Sequence, residues 1–174
     1  MFVSESLGND HELGSFDSGN SLLDDWFKNE ARRAQRARTA HVSAWHRADS
    51  HVVEAYYAIA PTTVVVEGLS RSARGGYSGS IPGYLIAKLA LSRDLHGAGL
   101  GGELLLDALE TVAAAANLAS GRFVVVDAID DHAHGFYRHH GLQPIGNSTR
   151  LVARIDTVIA SLTRSDPAHS QQAP

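Results

Sequence analysis

The sequence predicts an α+β fold: a mixed, mostly antiparallel central sheet flanked by helices and containing one β–α–β crossover. Three observations predict it. Residues 39–45 and 52–60 are β-leaning runs joined by a turn over Arg47 to Ser50, the pattern of an antiparallel hairpin. Residues 84–91 form a mostly apolar run, followed by helical spacing from Leu100 and a second buried run over 123–126, which reads as strand, helix, strand. Finally, 174 residues suffice for one core and not two.

Taken in order, residues 2–7 suit a short strand, and the Gly-, Asp-, Asn- and Ser-rich stretch 8–19 a loop. Asn20 or Ser21 then caps a helix whose apolar residues Leu22, Leu23, Trp26, Phe27, Ala31 and Ala34 recur on one face, with Asp24 and Asp25 at the positive end of its dipole. Lys28, Arg32 and Arg36 recur on another face. Pro61 is expected to end the hairpin, and residues 67–82 to form a long surface loop. Leu104, Leu105, Ala108, Leu109 and Val112 give the next helix its buried stripe. A short helix over 131–140, a turn into a strand over 141–145, and a last strand over 150–155 complete residues 1–163 as a single domain. Residues 164–174, rich in Ser, Asp, Pro, His and Gln, are expected to be a disordered tail.

Composition excludes several function classes. The chain has no cysteine, so disulfides, thiolate nucleophiles and Cys-based zinc sites are impossible. No stretch approaches the roughly 18 uninterrupted apolar residues of a membrane span, and the N-terminus lacks the basic start and apolar run of a secretory signal. A cytoplasmic protein without a membrane partner is expected. No G-x-S-x-G elbow supports a serine hydrolase.

The sharpest motif is Gly97-Ala98-Gly99-Leu100-Gly101-Gly102, between the run ending at Leu91 and the helix from Leu100. Exposed N–H groups at a helix entry form a site for a pyrophosphate. Gly97, Gly99 and Gly102 also match G-x-G-x-x-G literally. A dinucleotide-binding fold, however, needs its glycines tight against the strand, and here Ser92 to His96 intervene. A glycine-rich entry chosen only for close packing is the third reading of the same residues.

His96-Gly-Ala-Gly-Leu-Gly101 resembles the (Gln/Arg)-x-x-Gly-x-(Gly/Ala) signature of the GNAT acetyltransferases, with His96 standing where that family has Gln or Arg. Phe16-Asp-Ser-Gly-Asn20 before an amphipathic helix, Leu89-Ala-Leu-Ser-Arg93, Val125-Val-Asp127-Ala, and Gly135-Phe-Tyr137-Arg-His-His-Gly141-Leu together resemble the GNAT toxins of type II toxin–antitoxin modules, over most of residues 14–160. The resemblance implies a GNAT fold and an acetyltransferase that acetylates the α-amine of an aminoacyl-tRNA and so blocks translation. It also implies acetyl-CoA as co-substrate, charged tRNA as substrate, a ribbon-helix-helix antitoxin as partner and a homodimer. Leu91, Arg93, His96, Gly97, Ala98, Gly99, Leu100, Gly101 and Gly102 are the implied acetyl-CoA contacts, with backbone N–H groups near Leu91 as oxyanion donors. Tyr137 is the implied catalytic acid. An N-acetyltransferase of a small amine or protein N-terminus, and a non-catalytic binding module of the same fold, are the rival readings.

The chemistry is consistent with this assignment. Acetyl transfer from a thioester needs a neutral amine, an oxyanion donor and an acid for the leaving thiolate. No strong general base is evident. A lysine amine near pKa 10.4 would need one, whereas an α-amine near 7.7 to 8.0 is already partly neutral. The sequence therefore leans towards an aminoacyl ester.

The formal charge of −4 argues at first against a nucleic-acid partner. Residues 28–47, however, hold Lys28, Arg32, Arg33, Arg36, Arg38 and Arg47 against Glu30 alone, a local charge of +5 that leaves −9 for the remainder. Lys28, Arg32, Arg33, Arg36 and Arg38 are the candidate tRNA contacts, with Arg71 and Arg74 as possible additions, against the plainer reading of a solvated helix face. Trp45 suits either base stacking or the core. Of the ten histidines, His132 with His134 and His139 with His140 face apart on a helix, so no metal is expected.

Overall fold

A computed structural model describes residues 1–165 of the chain, the last of them without its side chain. Seven strands form one sheet in the order β1-β2-β3-β4-β5-β7-β6: β1 (Phe2–Ser6), β2 (His41–Arg47), β3 (Val53–Val65), β4 (Ser80–Leu91), β5 (Phe123–Asp127), β6 (Gln143–Pro144) and β7 (Arg150–Arg154). The helices are α1 (Ser21–Asn29), α2 (Ala31–Ala37), α3 (Arg71–Arg74), α4 (Leu100–Ala119), α5 (Asp131–His139) and α6 (Ile155–Ser165). Neighbouring β4 and β5 are joined through α4, the expected crossover. No described helix is long and apolar enough to cross a membrane. The chain divides into two compact units, one of Met1–Pro61 with Ile86–Ala108, the other of Thr62–Leu85 with Leu109 onward.

In the first unit β1 and β2 pair antiparallel from Phe2 opposite Arg47 to Ser6 opposite Ser43, and β2 pairs antiparallel with β3 with a bulge between Trp45 and His46. The core beneath α1 is aromatic: the Phe27 ring lies 4.0 Å from Tyr56 and nearly parallel to it, and Phe16 meets both edge-on at 5.0 and 5.4 Å. Full burial of side chains this size contributes on the order of 2 kcal/mol each. The Tyr56 hydroxyl donates to the Leu23 carbonyl at 2.9 Å, so the ring carries no orphaned polar atom into the core. Asn20 caps α1 by accepting from the Leu22 and Leu23 N–H groups, as its position in the sequence predicts.

The single helix expected over α1 and α2 is two helices. Glu30, with φ stretched to −115° and ψ −27°, lies between them as the C-cap of α1 and the N-cap of α2. The Gln35 side chain then accepts from the Val42 N–H at 2.7 Å and donates to the Ser6 hydroxyl at 2.5 Å, fixing α2 against β1 and β2.

Trp45 is a core residue, 6% exposed, which removes the base-stacking reading. Its Nε1 donates to Asp107 of α4 at 2.5 Å; the Ser4 hydroxyl and the Tyr57 hydroxyl donate to the same carboxylate.

The second unit packs Val64, Val66, Leu69, Ile81, Phe123, Val125 and Val152 into its own cluster. β5 and β7 pair antiparallel from Phe123 opposite Arg154 to Asp127 opposite Arg150. Gly83 is required here: a Cβ would stand 2.5 Å from the Phe123 carbonyl oxygen.

Three expectations need correction. Pro61 does not end β3, which runs on to Val65. The β2 pairing stops at Ile59, so beyond it that side of the strand carries no β2 ladder for a missing N–H to break. Residues 67–82 are not wholly loop, since they hold α3 and the start of β4. The last strand stops at Arg154 and continues as α6 to Ser165, which takes helix into the first residues of the expected tail; residues 166–174 lie outside the described residues.

Candidate active site

The glycine turn belongs to the first unit and is built from the end of β4. The Ser92 N–H donates to the Glu54 carbonyl at 2.7 Å, and a 3-10 turn over Arg93–Leu95 carries the chain round. Arg93 is held twice by the loop before α1: its N–H donates to the Asp17 carbonyl at 2.8 Å and its Nη2 to the Asp17 carboxylate at 3.0 Å. The Gly19 N–H, first, and then Arg93 hold the Asp17 carboxyl below its ordinary pKa. His96 folds back, its Nε2 reaching the Leu91 carbonyl at 3.1 Å. A side chain that would otherwise compete for an anion is thus spent on closing the turn.

Gly97 and Gly99 have φ values of +80° and +79°, a region costly for residues with a Cβ, and neither position has a neighbour within 4 Å of where a Cβ would stand. The N–H groups of Gly97, Ala98, Gly99, Leu100 and Gly101 donate to no described residue. They open α4, whose dipole adds positive potential at the same place. Unspent donors, positive potential and open space together make an anion cradle suited to a pyrophosphate. Leu91, the last residue of β4, is half-buried.

The basic residues lie in the same unit but do not act alike. Lys28, Arg36 and Arg38 are exposed and make no ion pair among the described residues. Arg33 is exposed and paired with Glu30, its Nε donating at 2.8 Å. Arg32 turns inward: its guanidinium donates to the carbonyls of Gly8, Asn9 and His11, so it braces the N-terminal loop. The break at Glu30 interrupts the Lys28, Arg32, Arg36 stripe that the helical spacing predicts. Trp26 of α1, the Glu30–Arg33 pair, Ala34 and Ala37 of α2, and Thr39 line a cavity of about 230 Å³.

Tyr137 belongs to the second unit, on α5, whose first turn is capped by Asp130 accepting from the Ala133 N–H at 2.7 Å. The ring is buried, edge-on to Phe136 at 5.3 Å, and burial pushes its pKa up to about 12. A phenol this high stays protonated across the neutral range, so it enters a reaction as an acid. Its hydroxyl makes no hydrogen bond among the described residues.

Two features escape sequence reasoning. Asp127 and Arg150 form a two-pronged ion pair with both contacts at 2.7 Å, beside a cavity of about 500 Å³ that also reaches Val65 and Thr149. Their opposition at the end of β5 and β7 depends on strand register, which no local pattern encodes. Glu5, His11 and His46 also converge, across 41 residues of sequence, on ligand atoms within 4.8 Å of one another. By contrast His139 and His140 stand nearly perpendicular, and His140 Nδ1 is taken by the Phe136 carbonyl, so that pair forms no chelate.

Comparison with known proteins decides the family. No family model matches the chain. Over 133 residues it is 32% identical to a tRNA-acetylating toxin of Mycobacterium tuberculosis, covering 74% of this chain and 76% of that protein. The chain belongs to the GNAT-fold tRNA-acetylating toxins.

Solved structures agree on the fold. The AtaT toxin complexed with acetyl-methionyl-tRNAfMet superposes with a TM-score of 0.86 at 23% identity, covering 93% of this chain and 99% of that one. A Tyr-to-Phe variant of AtaT bound to the C-terminus of the antitoxin AtaR and to acetyl-CoA gives a TM-score of 0.79 at 23% identity, covering 94% and 99%. Within a GNAT toxin the dinucleotide reading of the glycine turn falls with its fold.

Proposed function

We propose that this GNAT toxin transfers the acetyl group of acetyl-CoA to the α-amine of an aminoacyl-tRNA, and that both compact units serve that one acetyltransferase domain. The observation that carries the reading is the row of unspent N–H donors from Gly97 to Gly101 at the entry to α4 in a chain related to a tRNA-acetylating toxin. The turn grips the pyrophosphate of the co-substrate through its main chain, which explains how His96 can stand where most GNAT enzymes have Gln or Arg.

In the transfer, the α-amine attacks the thioester carbonyl. The backbone at Leu91 supplies the oxyanion donor. As the carbon–sulfur bond breaks, Tyr137 gives its proton to the departing thiolate, and the proton that the attacking nitrogen sheds as the amide forms returns to the phenolate, so the products are the amide and the free thiol. With the phenol near 12 and a thiol near 8.5, the proton moves only in concert with cleavage, when charge on sulfur is still developing. The amine needs no strong base, because an α-amine is partly neutral near pH 7.7 to 8.0. Lys28, Arg33, Arg36 and Arg38 meet the phosphates of the acceptor arm, and acetylation removes the amine that peptide-bond formation requires, so translation stops.

A ribbon-helix-helix antitoxin as partner, a homodimer and action in the cytoplasm complete the proposal. The similar toxin bound to the C-terminus of an antitoxin supports an antitoxin as partner. Growth on induced expression tests the whole. Wild-type protein is expected to arrest growth and Tyr137→Phe to relieve the arrest at equal protein level. Normal growth with wild type points instead to an acetyltransferase of small amines.

A further inference from the structure

Glu5 on edge strand β1, half exposed, and two buried histidines, His11 on the loop after it and His46 at the bulge of β2, form a cluster that the acetyl transfer does not use. His11 and His46 are 4% and 6% exposed, and their rings meet edge-on at 5.2 Å. His46 Nδ1 lies 2.8 Å from the Arg47 carbonyl and 2.7 Å from the Ser50 carbonyl, and its Nε2 lies 3.2 Å from Glu5 Oε1. Carbonyl and carboxylate oxygens only accept, so both ring nitrogens must donate, and a ring that donates from both is an imidazolium.

His11 has the complementary pattern. Its Nδ1 accepts from the Gly8 N–H at 2.9 Å, which places the proton of the neutral ring on Nε2. That Nε2 is 3.3 Å from the same Glu5 oxygen, and it is the one buried side-chain polar atom among the described residues with no hydrogen-bond partner. The same tautomer argues against a metal: coordination would need a lone pair on both Nε2 atoms, and the Gly8 N–H forces a proton onto one of them.

We infer that Glu5, His11 and His46 form a proton-held clip that fastens β1 and the following loop to β2, and that the clip opens when His46 loses its proton. Without that proton the lone pair of the buried His46 Nε2 faces the Glu5 carboxylate at 3.2 Å, and the contact turns from attraction to repulsion. Other charged groups reach the clip without replacing the proton. Asp10 is 3.9 Å from His11 Nδ1 and 3.5 Å from His51 Nδ1, and the His51 ring is stacked 6.2 Å from His46. Arg47 is occupied by Glu54, and Arg32 of α2 touches only backbone carbonyls of the loop.

Burial opposes charge on His46, but the Arg47 and Ser50 carbonyls and Glu5 outweigh it and raise its pKa. A raised folded pKa means the contribution to stability is complete below the unfolded value of about 6.5 and lost as pH rises through the folded midpoint. The loop released is the one that reaches Arg93 through Asp17.

Imidazole NMR titration of the wild-type chain, with amide exchange at Leu7 and Glu12, tests the clip; these N–H groups bond Val42 and His51 across it. A His46 midpoint above about 6.5 is expected, with protection at both amides falling by up to about tenfold for each pH unit separating the folded and unfolded midpoints. Glu5→Gln is expected to lower the midpoint and flatten that pH dependence. A midpoint at or below the ordinary value, or protection that does not change with pH, overturns the clip even if Glu5→Gln fails to fold. Stoichiometric binding of Zn²⁺ that disappears in His46→Gln also overturns it, in favour of a metal site.

Discussion

Asp17 and Arg93 are joined twice, by main chain at 2.8 Å and by side chain at 3.0 Å, so the loop that precedes α1 and the turn that precedes α4 are set as one piece. Asp17→Asn keeps the main-chain bond and loses the ionic one. Acetyl-CoA binding is expected to weaken severalfold by calorimetry as the turn loses its anchor. Because the Asp17 carboxyl is depressed, its contribution is present above the unfolded value of about 3.9 and lost as pH falls through the folded value. The wild-type advantage over Asp17→Asn should therefore vanish only in acid, below about pH 4.

Gly99→Ala places a methyl group at φ +79° and beside the N–H groups that would face the pyrophosphate. Backbone strain of about 1 to 2 kcal/mol is expected, with at least a tenfold loss of acetyl-CoA affinity. Calorimetry and thermal melting separate the two effects. Unchanged affinity would mean that the turn does not hold the co-substrate.

Tyr137→Phe removes a hydroxyl with no partner among the described residues, so melting temperature should be unchanged while turnover falls by about 10² to 10⁴. With the phenol held near 12, the wild-type rate should rise as the α-amine deprotonates and then stay level to about pH 10. A fall in rate between pH 8 and about pH 10 would require a different acid.

The basic face separates into residues that brace and residues that are free. Charge reversal at Lys28, Arg36 and Arg38 is expected to weaken tRNA binding and flatten its salt dependence, by a slope of roughly 0.7 to 0.9 for each phosphate no longer neutralised, with acetyl-CoA binding intact. Arg32→Ala should instead lower the melting temperature, since it leaves the Gly8, Asn9 and His11 carbonyls short of a charged donor, at a cost of about 1.5 to 3 kcal/mol.

Those four residues also mark how far the sequence could be read. Gly97 to Gly102 announced a helix entry able to bind an anion, because the positive φ that such a turn needs is written locally as glycine. Asn20 announced the start of α1 for the same local reason. Arg32 could not be told from Arg36, since the break at Glu30 and the position of the N-terminal loop decide which guanidinium turns inward. Pro61 misled, because whether a proline breaks a strand depends on which neighbour is paired at that point. Asp127 with Arg150, and Glu5 with His11 and His46, remained invisible: each meets only through register between distant segments. The part of tRNA the basic face would meet had no signature beyond charge.

Acetyl transfer to charged tRNA is read out by incubating the purified protein with radiolabelled acetyl-CoA and a total pool of charged tRNA, then hydrolysing the ester and identifying the labelled product. Label is expected on the α-nitrogen of the released amino acid, none with deacylated tRNA and little with Tyr137→Phe. Label on free amines or protein, with charged tRNA left unmodified, would contradict it.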